Sequence, residues 1–298
     1  MAAVRSVLSE WGTRRIAFTL VALVPLVVWA VLLQGWRNQI FLVTSWFGSA
    51  GVLPPEFLEI GHRLHEVAFA MITWPLVVGL LAQFRSPKRH VTGMWLALLM
   101  TASLLIAFVV TNFWAPAMIL VFIGVPTVIA TLLHPAGRKL VSRVSLDRVN
   151  RVTLALVIVA AVPLLAFAAT QVGLQTGAIA PAHDHAGGGH AEEVHQQHIE
   201  FGHFTFTAAV IFAIIGAGLL ASLQLPGWWV AAWLAGAMSA VYGLASVAAP
   251  EAASNPGLLW SVAMILWGVA FVAAAESTQD AEAPSLLADR SETTSAAL

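Results

Sequence analysis

The chain has 298 residues, of which 59% are hydrophobic and only 10% are charged, and its formal net charge is −1. Soluble domains carry about 25% charged residues. The composition therefore excludes a soluble globular enzyme, a disordered chain and a nucleic-acid-binding protein with a basic face. Cys is absent, which excludes disulfides, thiolate metal sites and iron–sulfur clusters. These figures predict a polytopic membrane protein in contact with lipid.

Continuous apolar stretches predict the membrane spans. A transmembrane helix needs about 20 mostly apolar residues, whereas an outer-membrane barrel shows alternating segments of about 10. The sequence predicts an all-α membrane protein with eight transmembrane helices, at residues 16–34, 62–84, 91–111, 114–133, 152–171, 203–222, 227–247 and 257–275.

The distribution of Lys and Arg predicts the orientation. Of the 14 Lys and Arg residues, all but Arg37 and Arg63 precede span 1, lie between spans 2 and 3 or spans 4 and 5, or belong to the tail. Positive charge accumulates on the cytoplasmic side, so we expect both termini in the cytoplasm and the protein in a prokaryotic plasma membrane. Residues 278–298 are rich in Ser, Ala and acidic groups and predict a disordered cytoplasmic tail.

The two halves of the chain resemble each other at an offset near 140. Four short matches occur in the same order in both halves, which predicts two parallel four-helix repeats, residues 1–144 and 145–277, related by a pseudo-twofold axis along the membrane normal. The matches pair Val24-Pro25-Leu26 with Val162-Pro163-Leu164, Glu59-Ile60-Gly61-His62 with Glu200-Phe201-Gly202-His203, and the segments at Trp95 and Trp114 with those at Trp233 and Trp260.

The repeated Glu-x-Gly-His motif is the strongest chemical signal. Residues three apart share one helical face, which places Glu59 beside His62 and Glu200 beside His203. A capping and anchoring role at the water interface is one interpretation. Because ionisable groups are costly in a membrane and two copies occur, we favour function. Imidazoles bind heme iron, copper or zinc, and a neighbouring carboxylate orients them or transfers protons.

A second signal is the loop between spans 5 and 6, residues 181–199, which holds five histidines and no Lys or Arg. Such tracts bind Cu(II) or Zn(II), although a flexible loop with incidental metal affinity is equally consistent. The candidate ligands are His183, His185, His190, His195 and His198. His198 is near enough to His203 to join a site there. His90 and His134 fall in the basic loops, where we expect solvated side chains.

The architecture and one motif resemble the heme A synthase family. Glu59-Ile60-Gly61-His62-Arg63 is similar to that family's Glu-x-x-His-Arg element, and Glu200-Phe201-Gly202-His203 looks like its counterpart. The resemblance implies oxidation of heme O to heme A, with Glu59 as the catalytic carboxylate, His62 as a ligand of the substrate heme and His203 as a ligand of a heme b cofactor. Glu200 is the second candidate for an acid–base carboxylate. Arg63 and the adjacent His65 would complete the cofactor site. It also implies a respiratory oxidase or a heme O synthase as partner.

The chain lacks the family's second His in spans 4 and 8 and its loop cysteines. Three arrangements stay open: five-coordinate hemes, one heme held between His62 and His203, or a paralogue without synthase activity. Two other functions remain as alternatives to heme chemistry. One is copper or zinc handling through the outer loop, and the other is a non-catalytic membrane subunit of a respiratory complex.

Overall fold

The computed structural model describes residues 12–33, 35, 37, 39, 60–137, 140, 148–179, 198–250 and 252–295. These residues form helices and turns, with no strand among them. Two π-helical turns, Val28–Leu32 and Leu120–Gly124, extend the first helix and precede the fifth. The α-helices are α1 (Thr13–Val27), α2 (Ile60–Met71), α3 (Trp74–Arg85), α4 (Val91–Thr111), α5 (Val125–Leu133), α6 (Arg151–Gln175), α7 (His203–Ser222), α8 (Trp228–Ala248) and α9 (Leu258–Ser295).

Seven segments of the described chain are long and apolar enough to cross a membrane, which confirms the helical membrane class. The fourth predicted span, 114–133, is instead a shorter apolar helix, Leu120–Leu133. Its 14 residues reach about 21 Å, less than the roughly 30 Å of a hydrocarbon core. The shortening follows from Asn112, which ends α4 in the left-handed conformation with φ 51°, and from the turns around Pro116.

The second predicted span is broken into α2 and α3 at Ile72 and Thr73. Pro75 occupies the first turn of α3, where its missing N–H is tolerated but its ring prevents a continuous helix through Met71. The Thr73 hydroxyl donates to the Ala70 carbonyl at 2.8 Å. This bond satisfies a carbonyl that the break exposes, as membrane helices require.

The described helices begin and end at two opposite ends of the bundle. We call one the basic end, and the other, where α7 begins, the histidine end. At the basic end the Asn150 N–H donates to the Ser222 carbonyl and the Thr92 N–H to the Pro226 carbonyl. All described Lys and Arg side chains except Arg37 belong to segments that begin or end here: Arg15, Lys88, Arg89, Arg148 and Arg151. The histidine end joins α2, α4 and α6 to the start of α7.

The centre of the bundle is formed by α2–α3, α4, α7 and α8. In α7 72% of the span is buried, against 17% in the span that contains α1. The peripheral helices α1, α6 and α9 expose large apolar side chains such as Val159 and Leu266. Such faces fit a lipid environment. Helices α8 and α9 approach so closely that a Cβ on Gly236 would lie 2.6 Å from the Gly268 carbonyl oxygen, as small-residue packing in membranes predicts.

His134 is fully buried, so its expected solvated position is wrong. Its Nδ1 accepts the Ala136 N–H at 3.1 Å, which leaves Nε2 as the protonated nitrogen that donates to the Gln83 side-chain oxygen at 2.8 Å. The Gln83 amide then donates to the His90 carbonyl at 2.6 Å. Buried polar groups require such partners, and this chain of bonds ties α5 to the α3–α4 turn.

Helix α9 continues to Ser295. The segment 278–298, for which composition predicts a disordered tail, is therefore helical over most of its length. Ala, Glu and Leu recur in this segment, and their high helix propensity allows α9 to extend beyond its apolar portion.

Candidate metal site

Three histidines converge at the histidine end of the bundle. The rings of His65 and His203 are stacked, with centroids 4.8 Å apart and planes at 26°. The His198 ring lies 4.8 Å from His65 and 5.0 Å from His203. One nitrogen from each ring can be chosen so that all three lie within 4.8 Å of one another. Small rotations about the side-chain torsions bring such atoms to the roughly 2 Å bonds of a single metal ion.

The turn that precedes α7 brings His198 close to His203. Residues 198–200 form a short helical segment, and Gly202 follows with φ 70° before α7 begins at His203. Only Gly adopts this left-handed conformation without strain. A Cβ on Gly202 would also lie 2.1 Å from the Phe113 ring. Gly202 therefore allows the chain to reverse tightly enough for His198 to contact His203.

Gln175, the last residue of α6, fixes this turn from the opposite side. Its amide nitrogen donates to the Ile199 carbonyl at 2.7 Å, and its amide oxygen accepts the Thr205 N–H at 3.4 Å. One side chain thus holds the residues on both sides of the turn. The end of α6 consequently determines where His198 and His203 lie.

The floor of the site is apolar. Phe204 is fully buried, and its ring meets the His65 ring edge-on with centroids 5.3 Å apart. His65 and His198 are buried, with 3% and 7% of their surfaces exposed. The two buried rings are shielded from competing water, and imidazole nitrogens are common metal ligands.

A further contact of His65 comes from Ser254, in the connection between α8 and α9. The Ser254 Oγ lies 3.3 Å from the His65 Nδ1, and Ser254 is fully buried. The Tyr242 hydroxyl of α8 donates to the Ser254 carbonyl at 2.9 Å. Residues from α2, α7, α8 and the α8–α9 connection thus meet at one point.

The structure unites some of the predicted site residues and separates others. His198 lies beside His203, and its role as a ligand there stays a prediction. Glu200 is exposed, and the expectation that it shares a helical face with His203 is wrong because the Gly202 turn separates them. In the first copy of the motif, by contrast, Gly61 lies inside α2.

Several predicted residues lie outside the described part of the chain. For His62 and Arg63 the structure describes the backbone in α2 but not the side chain. Those wholly outside it are Glu59, His183, His185, His190 and His195.

A heme held between His62 and His203 stays a prediction, because the His62 side chain lies outside the described residues. The rings of His65 and His203 are not arranged as two axial ligands of one heme. Axial ligation places two nitrogens on opposite sides of the iron, about 4 Å apart, with the porphyrin between them. Here the two rings face each other instead. A cavity of about 410 Å³ opens between α6 and α9, but its walls are apolar and include none of the three histidines; they include Pro163, Phe167, Trp260, Met264 and Trp267.

Sequence reasoning missed three residues that build the site: Gln175, Tyr242 and Ser254. Two of them carry a detectable signal. Tyr242 is the only Tyr in the chain and Gln175 ends a long apolar helix, and polar groups in such positions usually have a specific partner. Ser254 lies in a connection of small residues and carries no comparable signal.

No protein-family model, curated protein or solved structure matches the chain. The chemistry of the three histidines therefore carries the functional proposal.

Proposed function

We propose that this protein handles a transition metal, Cu(II) or Zn(II), at the outer face of a prokaryotic plasma membrane. The observation that carries the proposal is the group of ligand atoms on His65, His198 and His203 within 4.8 Å of one another. Three histidines from separate turns of the chain lie together beneath the surface of a membrane protein. Apolar side chains would fill such a position at a lower cost in free energy, so packing alone does not account for the triad.

The donor set favours copper or zinc. Imidazole suits copper, zinc, iron and nickel, while hard cations such as magnesium and calcium prefer oxygen ligands. Copper(II) binds nitrogen donors most tightly among the divalent ions of the first transition row. Three protein ligands leave one coordination position for water or for a ligand that delivers or removes the ion.

In this proposal the His-rich outer loop supplies metal to the triad. His198 is the last histidine of the His-rich loop and also a member of the triad. The loop histidines, His183 through His195, precede it without any Lys or Arg between them. Metal captured by these residues would pass along the chain to the triad, since His198 belongs to both.

The duplicated architecture is part of the proposal. The central helices α2–α3 and α4 come from the first half and α7 and α8 from the second, so corresponding spans form the core. A parallel pseudo-twofold relation would bring the outer ends of α2 and α7 to equal depth. His65 and His203 lie at those ends and contact each other.

Metal analysis of purified variants tests the function. We expect about one equivalent of Cu or Zn in the unchanged protein. His65→Ala, His198→Ala and His203→Ala should each lower the affinity at least tenfold because each removes a ligand. His90→Ala at the basic end is the matched control and should bind normally.

The same preparations distinguish the other candidate functions. An absorption spectrum with a Soret band that disappears in His203→Ala would contradict the metal proposal and support a heme protein. Wild-type protein without bound metal or heme that copurifies with an oxidase would support a non-catalytic subunit. Replacing His183, His185, His190 and His195 together by Ala should slow metal uptake and leave the triad's equilibrium affinity nearly unchanged.

A further inference from the structure

Ser254, from the connection between α8 and α9, forms a hydrogen bond with a ring nitrogen of His65. The two residues are 189 positions apart in sequence, and the bond between Oγ and Nδ1 measures 3.3 Å. Both side chains are buried, so water competes little for this bond. The contact involves Nδ1, so Nε2 is the His65 nitrogen that we assign to the metal.

The connection that carries Ser254 is held firmly in place. The Asn255 amide nitrogen donates to the Ala249 carbonyl at 2.8 Å, and its oxygen accepts the Gly257 N–H at 2.6 Å. Tyr242, buried in α8, donates to the carbonyl of Ser254 itself. These bonds fix the backbone on both sides of Ser254, and its hydroxyl has a defined position relative to His65.

We propose that Ser254 is a positioning residue that holds His65 in the tautomer with the proton on Nδ1. In that tautomer Nδ1–H donates to the Ser254 Oγ, and the lone pair of Nε2 is the one that would bind the ion. In the opposite tautomer Nε2 carries the proton and does not ligate. Metal-bound histidines usually donate their second N–H to such a partner, which orients the ring and raises its basicity. The proposal rests on the metal site described above.

The ring contacts of His65 do not select a tautomer. His65 projects from α2, whereas His198 lies in the turn before α7 and His203 begins α7. The His65 ring lies against the rings of His203 and His198 and meets the Phe204 edge. Stacking constrains the plane of a ring but does not select which of its nitrogens is protonated.

Two variants of Ser254 and one control test the role. Ser254→Ala removes the acceptor, and we expect a 10- to 100-fold loss of Cu(II) or Zn(II) affinity, the usual effect of removing such a partner. Ser254→Thr keeps a hydroxyl and should recover most of the affinity. Ser261→Ala removes another buried hydroxyl, one bonded only to the Gly257 carbonyl at 2.8 Å, and should bind as wild type.

Ring nitrogen NMR of the metal-free proteins supplies a readout that a loss of folding would not produce. We expect the His65 signals of wild type and Ser254→Thr to report protonation at Nδ1, and those of Ser254→Ala to move towards protonation at Nε2. Tyr242→Phe, which loosens the connection while keeping Ser254, should lower affinity by a smaller factor.

The outcomes separate this proposal from the metal function. If wild type binds metal and Ser254→Ala binds within twofold of it with an unchanged tautomer, the role of Ser254 is wrong and the metal site stands. If Ser254→Thr fails to recover affinity while folding normally, the hydroxyl is not the group that matters. If wild type binds no Cu or Zn, both the site and the role of Ser254 are overturned.

Discussion

Gly202 shows how a single residue without a side chain shapes the site. A Cβ at this position would be strained by the φ of 70° and would overlap the Phe113 ring. The left-handed conformation costs an ordinary L-residue about 1–2 kcal/mol. The overlap with Phe113 requires a shift of the ring or of the turn, and a shift of the turn would separate His198 from His203.

We therefore predict that Gly202→Ala lowers metal affinity at least tenfold, more than its effect on folding alone would cause. Gly177→Ala is the matched control, because Gly177 has the same φ of about 71° but open space around its Cβ position. Isothermal titration with Cu(II) or Zn(II) compares the two. Equal affinities in both variants would show that the turn does not control the triad.

The partner of His203 illustrates what the sequence could not determine. The motif repeat pairs His62 with His203, and the His62 side chain lies outside the described residues. The described contact to His203 comes from His65, which the repeat does not single out. Which residues of α2 meet α7 depends on how the two helices pack, and a short motif carries no information on that tertiary contact.

At the scale of the element, two glutamines one turn apart in α6 have different environments. Gln175 bonds to residues on both sides of the turn before α7. Gln171 is fully buried, and neither of its amide atoms has a hydrogen-bond partner within the described part of the chain. An unsatisfied buried amide costs about 1–3 kcal/mol, whereas an apolar replacement removes that cost.

We expect Gln175→Leu to destabilise the protein and to weaken metal binding, since the Ile199 carbonyl and the Thr205 N–H lose their partner. Gln171→Leu makes the same chemical change one turn away and should leave metal binding unchanged, with equal or higher thermal stability. Thermal unfolding in detergent and metal titration measure both effects. Identical behaviour of the two variants would contradict the role of Gln175 as the residue that fixes the turn.

The helices themselves could be predicted well wherever apolar stretches were long and uninterrupted. Spans such as α4 and α7 begin and end within a residue or two of the predicted bounds. The prediction was least accurate near proline, where Pro75 divides a span and Pro116 precedes a shortened helix. Hydropathy averages over a window and does not register a break that leaves the apolar composition unchanged.

At the scale of the whole molecule, the triad connects the two halves of the chain. His65 comes from the first half, and His198 and His203 come from the second. An ion bound only by the folded protein stabilises it by about 2.7 kcal/mol when its free concentration is 100 times the dissociation constant. Metal binding should therefore act as a crosslink between α2 and α7.

We predict that Cu(II) or Zn(II) raises the unfolding temperature of the purified protein and that His65→Ala abolishes the increase. Mg(II) at the same concentration should cause no shift, because it prefers oxygen ligands and the triad offers only nitrogens. Scanning calorimetry or fluorescence in detergent measures the shift. An equal increase in His65→Ala would mean that the ion stabilises the protein from another location.

Orientation in the membrane determines which compartment supplies the ion. Apart from Arg37, the described basic side chains belong to segments at one end of the bundle, and the triad lies at the other. Because positive charge accumulates on the cytoplasmic side, we propose that the triad lies outside. The absence of Cys from the sequence allows this placement to be tested with single introduced thiols and no background labelling.

We expect Ala178→Cys, exposed beyond the end of α6, to react with a membrane-impermeant maleimide in intact cells. Lys88→Cys, exposed in the α3–α4 turn at the basic end, should react only after the membrane is permeabilised. The two substitutions differ in membrane side but are alike in solvent exposure, so each serves as the other's control. The reverse pattern would place the triad in the cytoplasm, where the protein would take its metal from an intracellular pool and the outer-face proposal would be wrong.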